Sequence, residues 1–152
     1  MYSKEEASKL RQQFWITFGK YMKPIPSAEG LPVNWVNYKT GVKNVFFKMD
    51  AEQQNATIAI QINHGDAAIR NLYFEQLVAF KVLLHKTLKE EWEWQAETIN
   101  DFGVPSSQIS KTLNEVSIYN QQDWPLLISF LKPRIIALDE FWSSAKPIFE
   151  AL

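Results

Sequence analysis

The feature that most constrains the fold is a strict alternation of side chains in the middle of the chain. Residues 56–63 alternate between two sets, Ala56, Ile58, Ile60 and Ile62 against Thr57, Ala59, Gln61 and Asn63. A period of two is the repeat of a β-strand, because successive side chains point to opposite faces of the sheet. The segment therefore predicts a strand whose two faces meet different surroundings.

Four further strands are predicted around it. Residues 45–50 alternate in the same way, and 53–55 form the turn that joins the two segments. Residues 35–38 read as a short strand before a turn signal at 39–41. Residues 91–97 and 108–118 supply the last two strands, the latter bulged or split near residue 114. Short connectors favour antiparallel pairing, since parallel strands need a long crossover.

Three helices complete the pattern. The first covers 3–22 and opens on a capping box formed by Ser3 and Glu6. The second runs over 66–88 from an N-cap at Asp66, with Leu72 predicted on its apolar face and Arg70 off it. In both helices the apolar residues recur at helical spacing, which predicts faces that pack in the core.

The third helix is C-terminal and starts at Asn120 or Asp123, with Pro125 tolerated in its first turn. Pro133 predicts a kink or a restart of this helix, and Pro147 ends or bends it. The element order becomes α-β-β-β-α-β-β-α. We predict a single α+β domain over 1–152, in which helices pack on a mostly antiparallel, five-stranded sheet.

Composition excludes several classes of protein. The chain has 152 residues, 46% hydrophobic and 14% aromatic, which is enough apolar area to offset the entropy of ordering. The formal charge of −1 gives no support to a nucleic-acid partner. Without cysteine there is no disulfide, thiolate metal site or cysteine nucleophile. No signal peptide or run of about 18 apolar residues is present, so we expect a cytoplasmic protein without a membrane partner.

Catalytic chemistry finds little support in the sequence. His64 and His85 have no partner at the spacing that places two imidazoles on one metal ion. Alternation would place Glu91, Glu93 and Glu97 on one strand face, where they could share a divalent cation, although a solvated acidic face is the commoner arrangement. We therefore predict no catalytic residue, no metal site and no cofactor.

The predicted element order resembles that of the core of restriction-endonuclease-like nucleases. The first six predicted elements match the order of that core, which requires an acidic residue near its second strand and Glu-x-Lys on its third. The third predicted strand here reads Ile58-Ala59-Ile60-Gln61-Ile62-Asn63, with neither group. The sequence therefore argues against such an active site.

Candidate binding residues lie in 34–41, where aromatic, amide and cationic side chains alternate at a predicted hairpin tip. Trp35, Asn37, Tyr38 and Lys39 suit stacking on bases, contact with phosphate, or anchoring of a protein partner. The alternative is that Trp35 and Tyr38 pack on the sheet. Arg134 is the fifth candidate, either facing a ligand or bonding carbonyls freed by a kink at the preceding proline.

Several stretches resemble a family of uncharacterised bacterial domains, the one called domain of unknown function 4268. They are Phe14-Trp15, residues 35–41, residues 91–94, Asp123-Trp124-Pro125 and residues 130–135. The chain is similar to stand-alone members of the Bacteroidetes type. In related multidomain proteins a similar domain follows a nuclease-like module, so the resemblance implies an accessory role in nucleic-acid or defence systems. It implies no catalytic residue.

The leading hypothesis is a non-enzymatic binding or interaction module that acts near nucleic acid. A divergent metal-dependent hydrolase or degenerate nuclease-like domain is the alternative, and it would use the acidic strand. A homodimer that pairs through an exposed sheet face or edge, or another protein partner, is the third hypothesis.

Overall fold

The computed structural model describes residues 2–152 as one helical layer on one four-stranded sheet. The elements in chain order are α1 (Lys4–Met22), β1 (Val45–Ala51), β2 (Asn55–Asn63), α2 (Ala67–Ala79), α3 (Lys81–Leu88), β3 (Glu93–Ile99), β4 (Pro105–Asn114), a 3-10 turn (Gln121–Asp123) and α4 (Trp124–Glu150). The α+β class and the antiparallel sheet agree with the sequence, whereas the number of strands and the element order do not.

The strands lie in the order β1-β2-β4-β3, and each neighbouring pair is antiparallel. The two central strands are therefore β2 and β4, and β1 and β3 are the edges. The alternation in β2 has the predicted effect, because Ile58, Ile60 and Ile62 are all buried under the helices. The opposite face of the sheet contributes nothing to the hydrophobic core formed by the described residues.

The predicted strand at 35–38 is wrong, and this accounts for the missing fifth strand. Trp35 and Tyr38 both turn inward, while Val36 and Asn37 are exposed. An inward pair three residues apart is incompatible with the two-residue repeat of a strand. The segment is irregular, and the match to the element order of a nuclease core is lost with it.

The second predicted helix is divided into α2 and α3 at Phe80. Phe80 has φ −93° and ψ 6°, and its N–H reaches the carbonyls of both Gln76 and Leu77. The prediction for two side chains in α2 is also wrong, since Leu72 is 50% exposed and Arg70 is only 4% exposed. Arg70 is drawn in by the carbonyl of His64, 2.7 Å from its Nη1.

The ends of the predicted helices are set by local hydrogen bonds. The Ser3 hydroxyl accepts the N–H of Glu6, as the capping box predicts, and Asp66 accepts that of Ala68. Asn120 caps the 3-10 turn by accepting the N–H of Gln122. The last helix then continues without a restart through Pro133.

The bounds of the last two strands differ from those predicted. Strand β3 extends to Ile99, and β4 starts at Pro105 and ends at Asn114, where Glu115 takes a left-handed φ of 61°. The irregularity expected near residue 114 is therefore the end of the strand. In residues 2–152 no helix combines the length and the apolar character that crossing a bilayer requires.

Candidate functional site

The predicted binding segment is anchored to the helical layer by its aromatic residues. The Trp35 Nε1 donates to the Ile25 carbonyl at 2.9 Å, and only 2% of the residue is exposed. The Tyr38 hydroxyl donates to Asp139 Oδ1 at 2.5 Å. Burial, followed by this carboxylate, raises the pKa of Tyr38 far above its usual range. Neither ring can leave its place to stack on a ligand without losing these contacts.

The other two residues of that segment remain on the surface. Asn37 donates its N–H to the side chain of Asn34, which tightens the turn, and its own side chain is exposed. Lys39 is exposed as well and lies on the wall of a cleft described below. The structure therefore divides the four predicted residues into two internal anchors and two surface groups.

Arg134 lies apart from that segment, on α4. Its Nε and Nη2 both donate to the Glu90 carboxylate at 2.8 Å, and its Nη1 donates to the Phe130 carbonyl at 2.9 Å. Burial tends to raise the pKa of Glu90, but hydrogen bonds from Arg134 and Trp92 hold it below the usual value. These hydrogen bonds connect α4 to the loop before β3. The Arg134 guanidinium therefore already has protein groups as partners.

A cleft of about 600 Å³ runs beside β1, between that strand and the segment 36–43. Three lysines line it, Lys39, Lys43 and Lys48, and none of the described residues that line it is acidic. We call it the edge cleft. Its positive potential is local, since the formal charge of the whole chain is −1.

The main chain of β1 faces this cleft with free hydrogen-bonding groups. At the two ends of the pair, the Glu52 N–H donates to the Asn55 carbonyl and the Asn63 N–H of β2 donates to the Asn44 carbonyl. The register then directs the main-chain groups of Phe47 and Met49 away from β2. Among the described residues, nothing hydrogen-bonds to those groups. The edge is closed at both ends. The Thr40 hydroxyl donates to the Val45 carbonyl at one end, and Arg11 donates to the Ala51 carbonyl at the other.

The opposite edge strand, β3, is protected. A register shift between Gln95 and Thr98 interrupts its pairing with β4. The shift separates two glutamates that alternation would have placed together. Glu93 pairs with Ser110 on the open face, and Glu97 reaches Arg70 of α2 at 3.5 Å. The predicted acidic face on this strand is therefore wrong.

The uncovered side of the sheet is mostly polar, and we call it the open face. One residue from each strand forms a row across it, Phe46, Gln61, Gln108 and Gln95. The Gln61 Nε2 donates to Gln108 Oε1 at 3.1 Å. A cavity of about 880 Å³ lies over this face and ends under the β3–β4 hairpin, where Phe102 is 90% exposed.

Charge on the open face is concentrated at its Ala51 end. Burial and the neighbouring Glu52 raise the pKa of Asp50 to about 6. A hydrogen bond from Arg11, opposed by burial, lowers the pKa of Glu52. Arg11 lies 2.9 Å from Glu52 and 3.8 Å from Asp50, so one cation offsets part of the charge of two carboxylates.

Metal chemistry finds no cluster of ligands. Across residues 2–152, histidines and carboxylates do not gather in any group of three that could hold an ion. The His64 Nδ1 accepts the N–H of Asp66 and so helps to form the turn before α2. His85 lies half-buried against Trp94, with ring centroids 6.1 Å apart.

Comparison with protein families gives one match, over residues 10–146, to the model described as Domain of unknown function (DUF4268). The chain belongs to the DUF4268 family. No curated protein and no solved structure matches it. Membership of DUF4268 agrees with the resemblance of the quoted motifs, and it assigns no activity to any residue.

For this DUF4268 chain, the surfaces that the structure reveals differ from those that the sequence indicated. The free edge at Phe47 and the row of glutamines were missed. The alternation of β2 did contain a signal, because Gln61 and Asn63 occupy the polar half of the repeat in an otherwise apolar strand. No sequence pattern in β1 indicated its free edge, because the residues of a strand do not show whether it lies at the edge of the sheet.

Proposed function

We propose that this chain is a non-enzymatic interaction module that binds an extended acidic peptide segment of a protein partner along β1. The observation that carries the proposal is the edge cleft, in which free main-chain groups of Phe47 and Met49 face three lysines. An added strand would bond to those groups, and its acidic side chains would meet Lys39, Lys43 and Lys48. Three of the predicted binding residues, Asn37, Tyr38 and Lys39, belong to the wall of this cleft.

Strand addition needs an edge that is open over a few residues, and β1 offers one of limited length. Phe47 and Met49 supply two donors and two acceptors, and Lys48 between them points to the open face. The cleft volume of about 600 Å³ suits a segment of a few residues. This geometry supports short-peptide recognition by main-chain hydrogen bonds, with specificity from charge.

A second copy of the chain is a poorer occupant of the same edge. Antiparallel pairing of two β1 strands through Phe47 and Met49 would place Lys48 directly opposite Lys48 of the partner copy. Like charges directly opposite each other destabilise a strand pair. An acidic residue at that position would instead form an ion pair, which favours a different protein as the partner.

The test uses a fluorescein-labelled peptide that alternates threonine with glutamate, titrated by anisotropy at low salt. We expect saturable binding, and new protection from hydrogen exchange at the amides of Phe47 and Met49. Replacement of Lys39 and Lys43 by glutamate should weaken the binding about tenfold or more, since two charge pairs become repulsive. The matched control replaces Lys9 and Lys86 by glutamate as well. These two lysines are exposed on α1 and α3, and their replacement should leave binding unchanged.

Two further probes separate this proposal from its competitors. A peptide N-methylated at every second amide keeps its charge but cannot form the ladder, so we expect its binding to be lost. Equal binding of the methylated peptide, or no peptide binding while single-stranded DNA binds in a Lys39-dependent way, would overturn the proposal. The latter result would indicate a cleft for phosphate groups and support the nucleic-acid hypothesis.

A further inference from the structure

The open face has the features of a second binding site, which borders the edge cleft along β1 and shares Phe46, Lys48 and Met49 with it. Helices cover only the other side of the sheet, and two of the three glutamines in the row, Gln61 and Gln108, line a cavity of about 880 Å³ over the open side. The next row across the sheet runs Lys48, Ala59, Ser110 and Glu93, which places a cation on β1 and a carboxylate on β3.

Hydrogen-bonding groups on this face remain free after the protein has made its own contacts. Gln108 uses its Oε1 to accept from Gln61, and its Nε2 makes no bond within residues 2–152. Asn63 donates through Nδ2 to Gln61 at 3.4 Å, and its Oδ1 is buried without a partner in the described structure. The open face therefore has one free donor, Gln108 Nε2, and one free acceptor, Asn63 Oδ1. Both side chains are held in place by hydrogen bonds to Gln61.

Two phenylalanines border the same cavity. Phe102 stands at the tip of the β3–β4 hairpin, where the side chain of Asn100 accepts the N–H groups of both Phe102 and Val104. Gly103 completes this loop with φ 74°. Burying a phenylalanine side chain stabilises a protein by about 1.5–3 kcal/mol, so an ordered loop that holds the ring 90% exposed leaves that gain for a ligand. Phe46 borders the cavity on β1, with the Lys48 ammonium 4.9 Å from its ring.

We infer that the open face binds an unpaired nucleobase. The edge of a nucleobase carries donors and acceptors that can hydrogen-bond to the free amides. Its flat face can stack on an exposed phenylalanine ring. Glutamine and asparagine amides pair with base edges, and stacking of a base on an aromatic ring adds about 1–3 kcal/mol. The base can come from a free nucleoside or from a single strand. The carboxylates of Asp50, Glu52 and Asp101 border the cavity against a single lysine, Lys48, and disfavour phosphate there, so the salt dependence of binding should be weak.

The experiment titrates the whole chain with adenosine, cytidine and labelled single-stranded DNA oligomers, with anisotropy and side-chain amide NMR as readouts. We expect the Gln108 Nε2 resonances to shift with ligand. Phe102→Ala should weaken binding about tenfold, and Gln108→Glu, which removes the donor, should weaken it as well. Val82→Ala on α3, also a highly exposed apolar residue, is the control and should change nothing. Binding of the nucleosides as tightly as the oligomers would identify a nucleoside site, and tighter binding of the oligomers a single-strand site.

The site shares Phe46, Lys48 and Met49 with the edge cleft, and variants outside those three residues distinguish the two. If Phe102→Ala and Gln108→Glu bind the oligomers normally while Lys39→Glu with Lys43→Glu does not, phosphate recognition in the edge cleft explains the binding and the base site is overturned. Absence of any binding of nucleosides or oligomers also overturns it. Each variant is first compared with the parent by far-ultraviolet circular dichroism, and Gln108→Asn is the second variant if Gln108→Glu does not fold.

Discussion

At the scale of single residues, partners decide which charged side chains are free to meet a ligand. Arg134 was a candidate for ligand contact, and its guanidinium is shared between the Glu90 carboxylate and the Phe130 carbonyl. Lys39 and Lys43 are exposed and project into a cleft. Residue type alone could not separate these cases, because the partners of Arg134 include a residue 44 positions away.

We predict that Glu90→Gln destabilises the fold by about 2 kcal/mol at neutral pH, because a mostly buried, two-pronged ion pair is broken. The pKa of Glu90 is lowered in the folded state, so its contribution is present above the ordinary value of 4.5 and is lost as the pH falls through the folded pKa. Urea unfolding of both proteins at pH 7 and at pH 3 measures this. A difference that persists undiminished at pH 3 would show that the pair has another role.

At the scale of elements, the two edge strands are treated differently. Strand β3 is protected by a register shift and by Glu93. Strand β1 is closed at its ends by Thr40 and by Arg11, and Lys48 between them opposes pairing with a second copy. Natural sheets protect edges that must not pair with other chains. The stretch at Phe47 still has free main-chain groups, so it is the place where a partner strand with an acidic residue opposite Lys48 would be expected.

Helix α4 continues through Pro133, which lacks the N–H that would bond the Ser129 carbonyl. Since Pro133 is exposed, we predict that Pro133→Ala raises the free energy of unfolding by about 1–2 kcal/mol, the gain in helix hydrogen bonding exceeding the added entropy of the unfolded chain. Pro147→Ala in the last turns of the helix is the matched control and should gain less. Urea denaturation measures both, and a loss of stability in Pro133→Ala would mean that core packing depends on the proline.

At the scale of the whole molecule, aromatic contacts link distant parts of the chain into one core. Phe14 of α1 meets Trp124 of α4 edge to face at 5.6 Å, and Trp142 of the same helix meets Phe47 of β1 at 5.5 Å. Tyr38 stacks on Phe47 from the irregular segment. The helices and the sheet therefore share one apolar interior.

We predict that the chain unfolds in one cooperative transition. Its six tryptophans are distributed from α1 to α4, so their fluorescence reports on the whole core, and far-ultraviolet circular dichroism reports on the helices. The two signals should change at the same urea concentration, because two-state unfolding exposes everything together. A fluorescence change that precedes the loss of helix would show that part of the chain unfolds independently.

Local sequence was sufficient wherever the structure depends on near neighbours. The alternation at 45–50 and 56–63 specified β1 and β2, and the Ser3 capping box specified the start of α1, because a strand repeat and an N-cap act within a few residues. Composition likewise excluded cysteine chemistry outright. These predictions needed no knowledge of what the elements pack against.

Tertiary structure decided the rest, because the deciding contacts are distant in sequence. Residues 35–38 look like a strand, but Tyr38 bonds to Asp139, 101 positions away, and the Trp142 indole bonds to the Thr40 carbonyl, 102 positions away. Which strands became edges, and which face of β2 stayed open, depended on the order β1-β2-β4-β3. The alternation of β2 determined that its faces would differ, and only the packing of the helices on one of them left Gln61 and Asn63 exposed to the cavity where a ligand is proposed to bind.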